Sequence, residues 1–170
     1  MIACVDTHYN DTGSRTGLVL FEHWTDELAK AEFVHETSQE PADYIPGRFF
    51  QRELPCICSA VTSFGSDAHV VVIDGYVWLD QSGRKGLGAL LFEALNETVS
   101  VIGVAKNRFS GSNGTDVFRG TSRKPLIVTA AGIDEREAAR LIQLMHGQYR
   151  IPTLVKRADY VSRHGLNGSD

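Results

Sequence analysis

Four β-branched residues in succession, Val70 to Ile73, stand between His69 and the pair Asp74-Gly75. Such a run fits a strand buried on both faces. Asp74 ends it, and Gly75 permits a sharp exit. The chain opens on the same pattern, Met1-Ile2-Ala3-Cys4-Val5-Asp6. Between these two runs, Thr16–His23 reads as a strand and Ala29–Glu36 as a weaker, alternating one. Pro55 suits the first turn of a helix over 54–64. Beyond Gly75, the glycine-rich segment 82–88 leads into a helix with Leu87, Leu90, Leu91, Ala94 and Leu95 at helical spacing. The pattern then predicts a strand over 99–105, a Ser-, Gly- and Asn-rich loop over 107–119 and a strand over 126–131. A helix capped by Asp134 follows to about Met145, and a last helix from Pro152 carries Leu154, Val155, Ala158 and Val161.

This order describes an α/β protein: an antiparallel meander followed by parallel α/β units, forming a mixed sheet flanked by helices. It resembles a ribonuclease H-like sheet, an arrangement known for clustered carboxylates and divalent metal. A carboxylate at the C-terminal end of a buried strand lies where α/β sheets place their chemistry, a turn or capping aspartate being the alternative. Adjacent strands run about 4.8 Å apart, so neighbouring strands ending in Asp6 and Asp74 would bring two carboxylates together. Like charges that close repel unless a cation neutralises them. The pairing points to a metal.

Composition narrows the class without changing it. The 170 residues, 42% apolar and 22% charged, suit one folded domain over 1–170. No apolar run approaches the roughly 20 residues of a membrane helix, and the first residues read as a strand rather than a signal peptide. A cytoplasmic protein with no membrane partner is the expectation. Three cysteines argue against a disulfide framework, and Cys56-Ile57-Cys58 has no second pair at metal spacing. The net charge of −4 is unevenly spread. Residues 1–43 hold two basic and nine acidic side chains, whereas 81–124 hold seven basic and three acidic ones. A basic middle on an acidic chain can face phosphates or be a set of solvated loops.

Further short segments carry a resemblance. Asp6 stands in A-C-V-D-T-H-Y, and Tyr44-Ile45-Pro46-Gly47 is followed by Arg52-Glu53 closing F-x-x-R-E. Asp74-Gly75 ends the central strand, and Gly86-Leu87-Gly88-Ala89 opens a helix. Then come Ile102-Gly103-Val104-Ala105-Lys106, Tyr149-Arg150-Ile151-Pro152 and Arg157-Ala158-Asp159. In this order and spacing the segments resemble the endonuclease V family, which cuts DNA or RNA near deaminated adenine (inosine).

The resemblance implies metal-assisted hydrolysis of a phosphodiester. Asp6, Glu53 and Asp74 would hold Mg²⁺, with Mn²⁺ as a possible substitute, because hard cations take carboxylate oxygens. Lys106 would offset phosphate charge, and Asp159 would be an accessory ligand. Tyr44 and Ile45, stiffened by Pro46 and Gly47, would wedge into the nucleic acid, and Gly86 would lie at the substrate. By spacing alone, Glu53 reads first as a first-turn helix carboxylate before Pro55, and only the Arg52-Glu53 context reverses that.

The sequence also departs from the family. After Asp74-Gly75 the family continues with His-Gly and His-Pro-Arg. Here Tyr76 and Asp80 stand in place of the two histidines, and Asp80 is itself a candidate ligand. The family's Y-V-S-P-G-H is reduced to Ile127-Val128-Thr129-Ala130-Ala131-Gly132. Two functions are therefore in view. One is a divergent metal-dependent nuclease; the other is a catalytically impaired nucleic-acid-binding or interaction protein on the same fold.

Overall fold

The central sheet grows from the buried runs at the start of the chain and at 70–73. In the computed structural model, residues 1–10, 13–37, 50–108 and 111–166 are described, the side chains of 50 and 51 excepted. Strands β1 (Ile2–Asn10), β2 (Gly13–Phe21) and β3 (Ala31–Thr37) form the meander. Helix α1 (Phe50–Phe64), β4 (Val70–Asp74), α2 (Leu87–Ala94) and β5 (Ser100–Ala105) follow. Then come β6 (Thr115–Val117), β7 (Leu126–Ala131), α3 (Glu135–Leu144) and α4 (Thr153–His164). The seven strands lie in the order β3-β2-β1-β4-β5-β7-β6.

β4 pairs parallel with β1 and with β5, so β4 and β5 end at one edge, beside Asp6 of β1. β7 turns back antiparallel to β5, and β6 pairs antiparallel to β7. Residues alternate between two cores. Cys4, Val72, Ile102 and Val104 face the layer that holds Ala138 and Ile142 of α3 and Leu154, Ala158 and Val161 of α4. Val5, Val71, Ile73 and Val101 face Ile57, Ala60 and Val61 of α1 and Leu91 of α2. Burying each such aliphatic side chain contributes roughly 1.5–3 kcal/mol.

Three boundaries differ from the sequence pattern. β1 runs on through the polar residues Thr7 to Asn10, which complete a hairpin ladder with β2; the Thr7 and Thr16 hydroxyls meet at 2.9 Å. α1 starts at Phe50, so Pro55 falls inside it rather than in its first turn. The segment read as a loop over 107–119 contains β6. Among the described residues no helix is long and apolar enough to cross a membrane. Cys4, Cys56 and Cys58 are free thiols.

Candidate active site

Val5 pairs with Ile73, so the next residues, Asp6 and Asp74, lie side by side where the parallel pairing of β1 and β4 stops. Both are in phase with Cys4 and Val72 and face the α4 side of the sheet. Gly75 leaves the strand at φ +140°, and its N–H donates to the Val104 carbonyl. That contact ties the exit of β4 to the end of β5, one residue before Ala105 and Lys106. Lys106 Nζ lies 2.5 Å from Asp74 Oδ2.

From above, α4 closes over these groups. Asp6, Asp74, Lys106, Ile151, Lys156 and Asp159 line a cavity of about 100 Å³. Ser162, fully buried, places its hydroxyl 2.7 Å from Asp6 Oδ2 and 2.7 Å from the Asp159 carbonyl. Asp159 is paired with Arg163 at 2.9 Å. Glu53 is not part of this cavity lining. It comes from the first turn of α1 on the opposite face of the sheet, and its carboxyl still feels Asp6 and Asp74.

The electrostatics follow from burial and crowding. Burial, then repulsion from Asp6 and Asp74, pushes the Glu53 carboxyl up to about 8, with Arg52 opposing. Asp6 is also raised, chiefly by burial and also by repulsion from Asp159 and Asp74, while Ser162 and Lys106 oppose. Burial works against the Lys106 ammonium, yet Asp74, Asp159 and Asp6 together hold it above the ordinary lysine range. Among the described residues no group of three or more His, Cys, Asp and Glu side chains is closed up as a ready metal cage. The carboxylates are instead engaged locally, Asp74 with Lys106, Asp6 with Ser162 and Asp159 with Arg163. The donor set nevertheless fits a hard cation: carboxylates close enough that their repulsion raises Asp6 and Glu53, with one lysine as counter-charge.

The divergent segment after Gly75 is built into the neighbouring strand ends. The Tyr76 hydroxyl donates to the Asn107 carbonyl at 2.9 Å. The Val77 N–H donates to Thr129 Oγ1, and Trp78 Nε1 donates to the Ala130 carbonyl. Asp80 is not drawn into the carboxylate group. Its Oδ1 accepts from the Ser82 N–H and hydroxyl and from the Arg84 N–H, and Arg84 pairs with its other oxygen. Gly86 caps α2, where a Cβ would stand 2.4 Å from the Tyr76 carbonyl oxygen; the close approach of backbone explains the glycine. Tyr44, Ile45, Pro46 and Gly47 lie outside the described residues.

Two polar residues at this edge were not singled out as functional by the pattern alone. Ser162 sits three residues beyond Asp159, on the same side of a helix, a spacing that could have flagged it. Arg150 donates to the carbonyls of Lys106 and Pro125 and so braces the backbone beneath the lysine; nothing local in the sequence signals that grip.

The sequence profile of one known family, endonuclease V, matches residues 1–129. Among curated proteins nothing matches. Human endonuclease V superposes with a TM-score of 0.77 at 21% identity, over 95% of this chain and 82% of that one. The Ciona intestinalis enzyme, solved with a 24mer DNA containing an inosine followed by a ribo-adenosine, gives 0.76 at 18% identity, over 97% and 84%. Endonuclease V from Streptomyces avermitilis gives 0.69 at 26% identity, over 97% and 80%. The fold shared with these structures is the ribonuclease H-like mixed sheet.

Proposed function

Because the chain belongs to the endonuclease V family, we propose that it is a divergent metal-dependent endonuclease that hydrolyses phosphodiester bonds of DNA or RNA near deaminated bases such as inosine. One observation carries this reading above the others: Asp6 and Asp74 lie side by side where the parallel pairing of β1 and β4 stops, with Lys106 Nζ 2.5 Å from Asp74. The inosine-containing DNA bound by the Ciona relative supports the choice of substrate.

Asp6, Glu53 and Asp74 would hold Mg²⁺ or Mn²⁺, with Asp159 beside them. When bound, the cation supplies Lewis-acid polarisation of the phosphate and a water of lowered pKa. The chain's own residues do the rest. Lys106 carries the fixed positive charge that a phosphate meets as negative charge builds on its oxygens. Ser162 keeps one Asp6 oxygen turned toward α4, leaving the other for ligation. Burial of Glu53 and Asp6 keeps the site at low dielectric, where each of these interactions is stronger than in water. Tyr44 and Ile45, on the stiff Pro46-Gly47 turn, are assigned the wedge that opens the stack where the modified base leaves it. Gly86 is assigned to the substrate side of the α2 start.

A second reading rests on the divergent loop. Tyr76 and Asp80 occupy the places of two family histidines, and Asp80 is spent on its own turn. A scaffold that binds nucleic acid without cutting it would look the same there. Matched oligonucleotides, DNA and RNA, with and without inosine, in Mg²⁺, Mn²⁺ or chelator, separate the two. Metal-dependent cutting beside inosine that disappears in Asp74→Ala supports the nuclease. Binding without cutting in any metal by the folded wild type establishes the second reading.

A further inference from the structure

The sheet edge that carries Asp6 and Asp74 continues past β5 to a surface the site has not used. Arg150 grips the carbonyls of Lys106 and Pro125. Its neighbour Ile151 lines the cavity, while Tyr149, on its other side, is 69% exposed. The stretch after β6 lies against this turn. Arg119 is buried and donates to the Met145 and Gly147 carbonyls at 2.6 and 3.0 Å, and a Cβ on Gly120 would stand 2.2 Å from the Gln148 carbonyl oxygen. Inward-facing Val117 and Arg119 leave Phe118 outward, 55% exposed. Because Val117 pairs with Leu126, Phe118 emerges at the same edge as Pro125.

Single exposed apolar residues need no explanation. Here two aromatic rings stand on abutting turns, beside Arg123 and Lys124, which are exposed and have no acidic partner among the described residues. Other cations of the basic middle are already neutralised: Arg84 by Asp80, Lys85 by Glu93 and Arg108 by Asp116. The positive charge left available on this segment therefore collects beside the aromatic pair and Lys106.

We propose that Phe118 and Tyr149, flanked by Arg123 and Lys124, form a stacking platform for unpaired bases of the strand being cut, a subsite outside the catalytic centre. This rests on the nuclease reading above. Aromatic faces take any base, and the two cations follow the phosphates. Three strand spacings separate β4 from β6, about 14 Å. At about 3.4 Å per stacked nucleotide, the platform receives bases about four positions from the scissile phosphate.

The test compares the wild type with the double variant Phe118→Ala/Tyr149→Ala. One measurement is the affinity for an unmodified fluorescein-labelled 15-nucleotide single strand in chelator. The other is KM and kcat on a long inosine substrate and on one trimmed to three nucleotides either side of the cut. The platform predicts an affinity loss of roughly ten- to hundredfold and a raised KM on the long substrate. It also predicts an unaltered kcat and unaltered cutting of the trimmed substrate. Phe118→Tyr/Tyr149→Phe, which keeps both rings, should retain wild-type affinity. If the wild type binds and cuts while the alanine variant matches it on both substrates, the platform is wrong and the nuclease reading stands. If the wild type instead self-associates and the alanine variant does not, the rings belong to an interface between copies, which also overturns the proposal. A wild type that neither binds the strand nor cuts removes both readings.

Discussion

Gly17 lies directly opposite Asp6 in the β1–β2 ladder, and its missing side chain is what lets α4 reach the carboxylate. A Cβ there would stand 2.7 Å from the Ala158 carbonyl oxygen and 2.7 Å from the Ser162 nitrogen. Both are backbone atoms, so α4 would have to retreat as a body. Gly17→Ala should cost about 1–3 kcal/mol in urea unfolding, the usual range for overpacking. Cleavage by the remaining folded protein should fall further, because Asp159 and Ser162 ride on α4. Full cleavage in a destabilised variant would show that contact between α4 and Asp6 is dispensable.

Glu53 gives a pH dependence with a definite sign. Its carboxyl rises from 4.5 to about 8 on folding, so the folded state holds the proton more tightly than the unfolded state. That contribution to stability is complete below 4.5 and is lost as pH climbs through about 8. In chelator, the wild-type Tm should therefore decline between pH 5 and pH 8.5 more steeply than that of Glu53→Gln. The variant should be the more stable of the two at pH 8.5 while cutting nothing in Mg²⁺. Parallel Tm profiles would mean that Glu53 is not in the buried, crowded setting described.

The parts of this protein that were legible in its sequence are those fixed by short-range pattern. The β-branched run before Asp74 and its twin before Asp6 specify two buried strands. Parallel pairing then places the carboxylates together, as the register Val5 to Ile73 does. β6 was not legible, because Thr115–Val117 sits among Ser, Gly and Asn. Its strand is secured from outside, by pairing with β7 and by Arg108 holding the Gly114 carbonyl and Asp116. Ser162 and Asp6 are 156 positions apart, and only the closure of α4 over β1 and β2 joins them. Asp80 reads as a candidate ligand in the sequence because a carboxylate near a metal motif invites that role. Its turn-forming bonds to Ser82 and Arg84 are the commoner use of aspartate before a Ser-Gly pair.

That use of Asp80 is open to a direct check. The Ser82 hydroxyl, burial working against it, and the Arg84 and Ser82 N–H groups together hold its carboxyl below the ordinary range. Asp80→Ala should release those donors, so amide exchange at Ser82 and Arg84 should speed up by roughly five- to tenfold, about one hydrogen bond's net worth each. Mg²⁺ affinity by calorimetry should stay at the wild-type value. A tenfold weaker Mg²⁺ complex would return Asp80 to the ligand set.

Arg119 shows how the platform and the start of α4 are anchored. The side chain is only 5% exposed, and it faces no carboxylate among the described residues. Its guanidinium instead donates to the carbonyls of Ile142, Met145, His146 and Gly147. The last carbonyls of a helix lack intrahelical donors, and their partial negative charge favours a cation. One planar group with five N–H donors can satisfy several of them at once, which a lysine ammonium cannot do with the same geometry. Arg119→Met keeps most of the apolar stem and removes the donors. It should destabilise the protein by about 3 kcal/mol, since more than one buried carbonyl loses its partner. Arg119→Lys should recover part of that loss. If Met proves as stable as Arg in urea, water satisfies those carbonyls, and the turn holding Tyr149 and Arg150 is secured by Gly120 and the α3 packing alone.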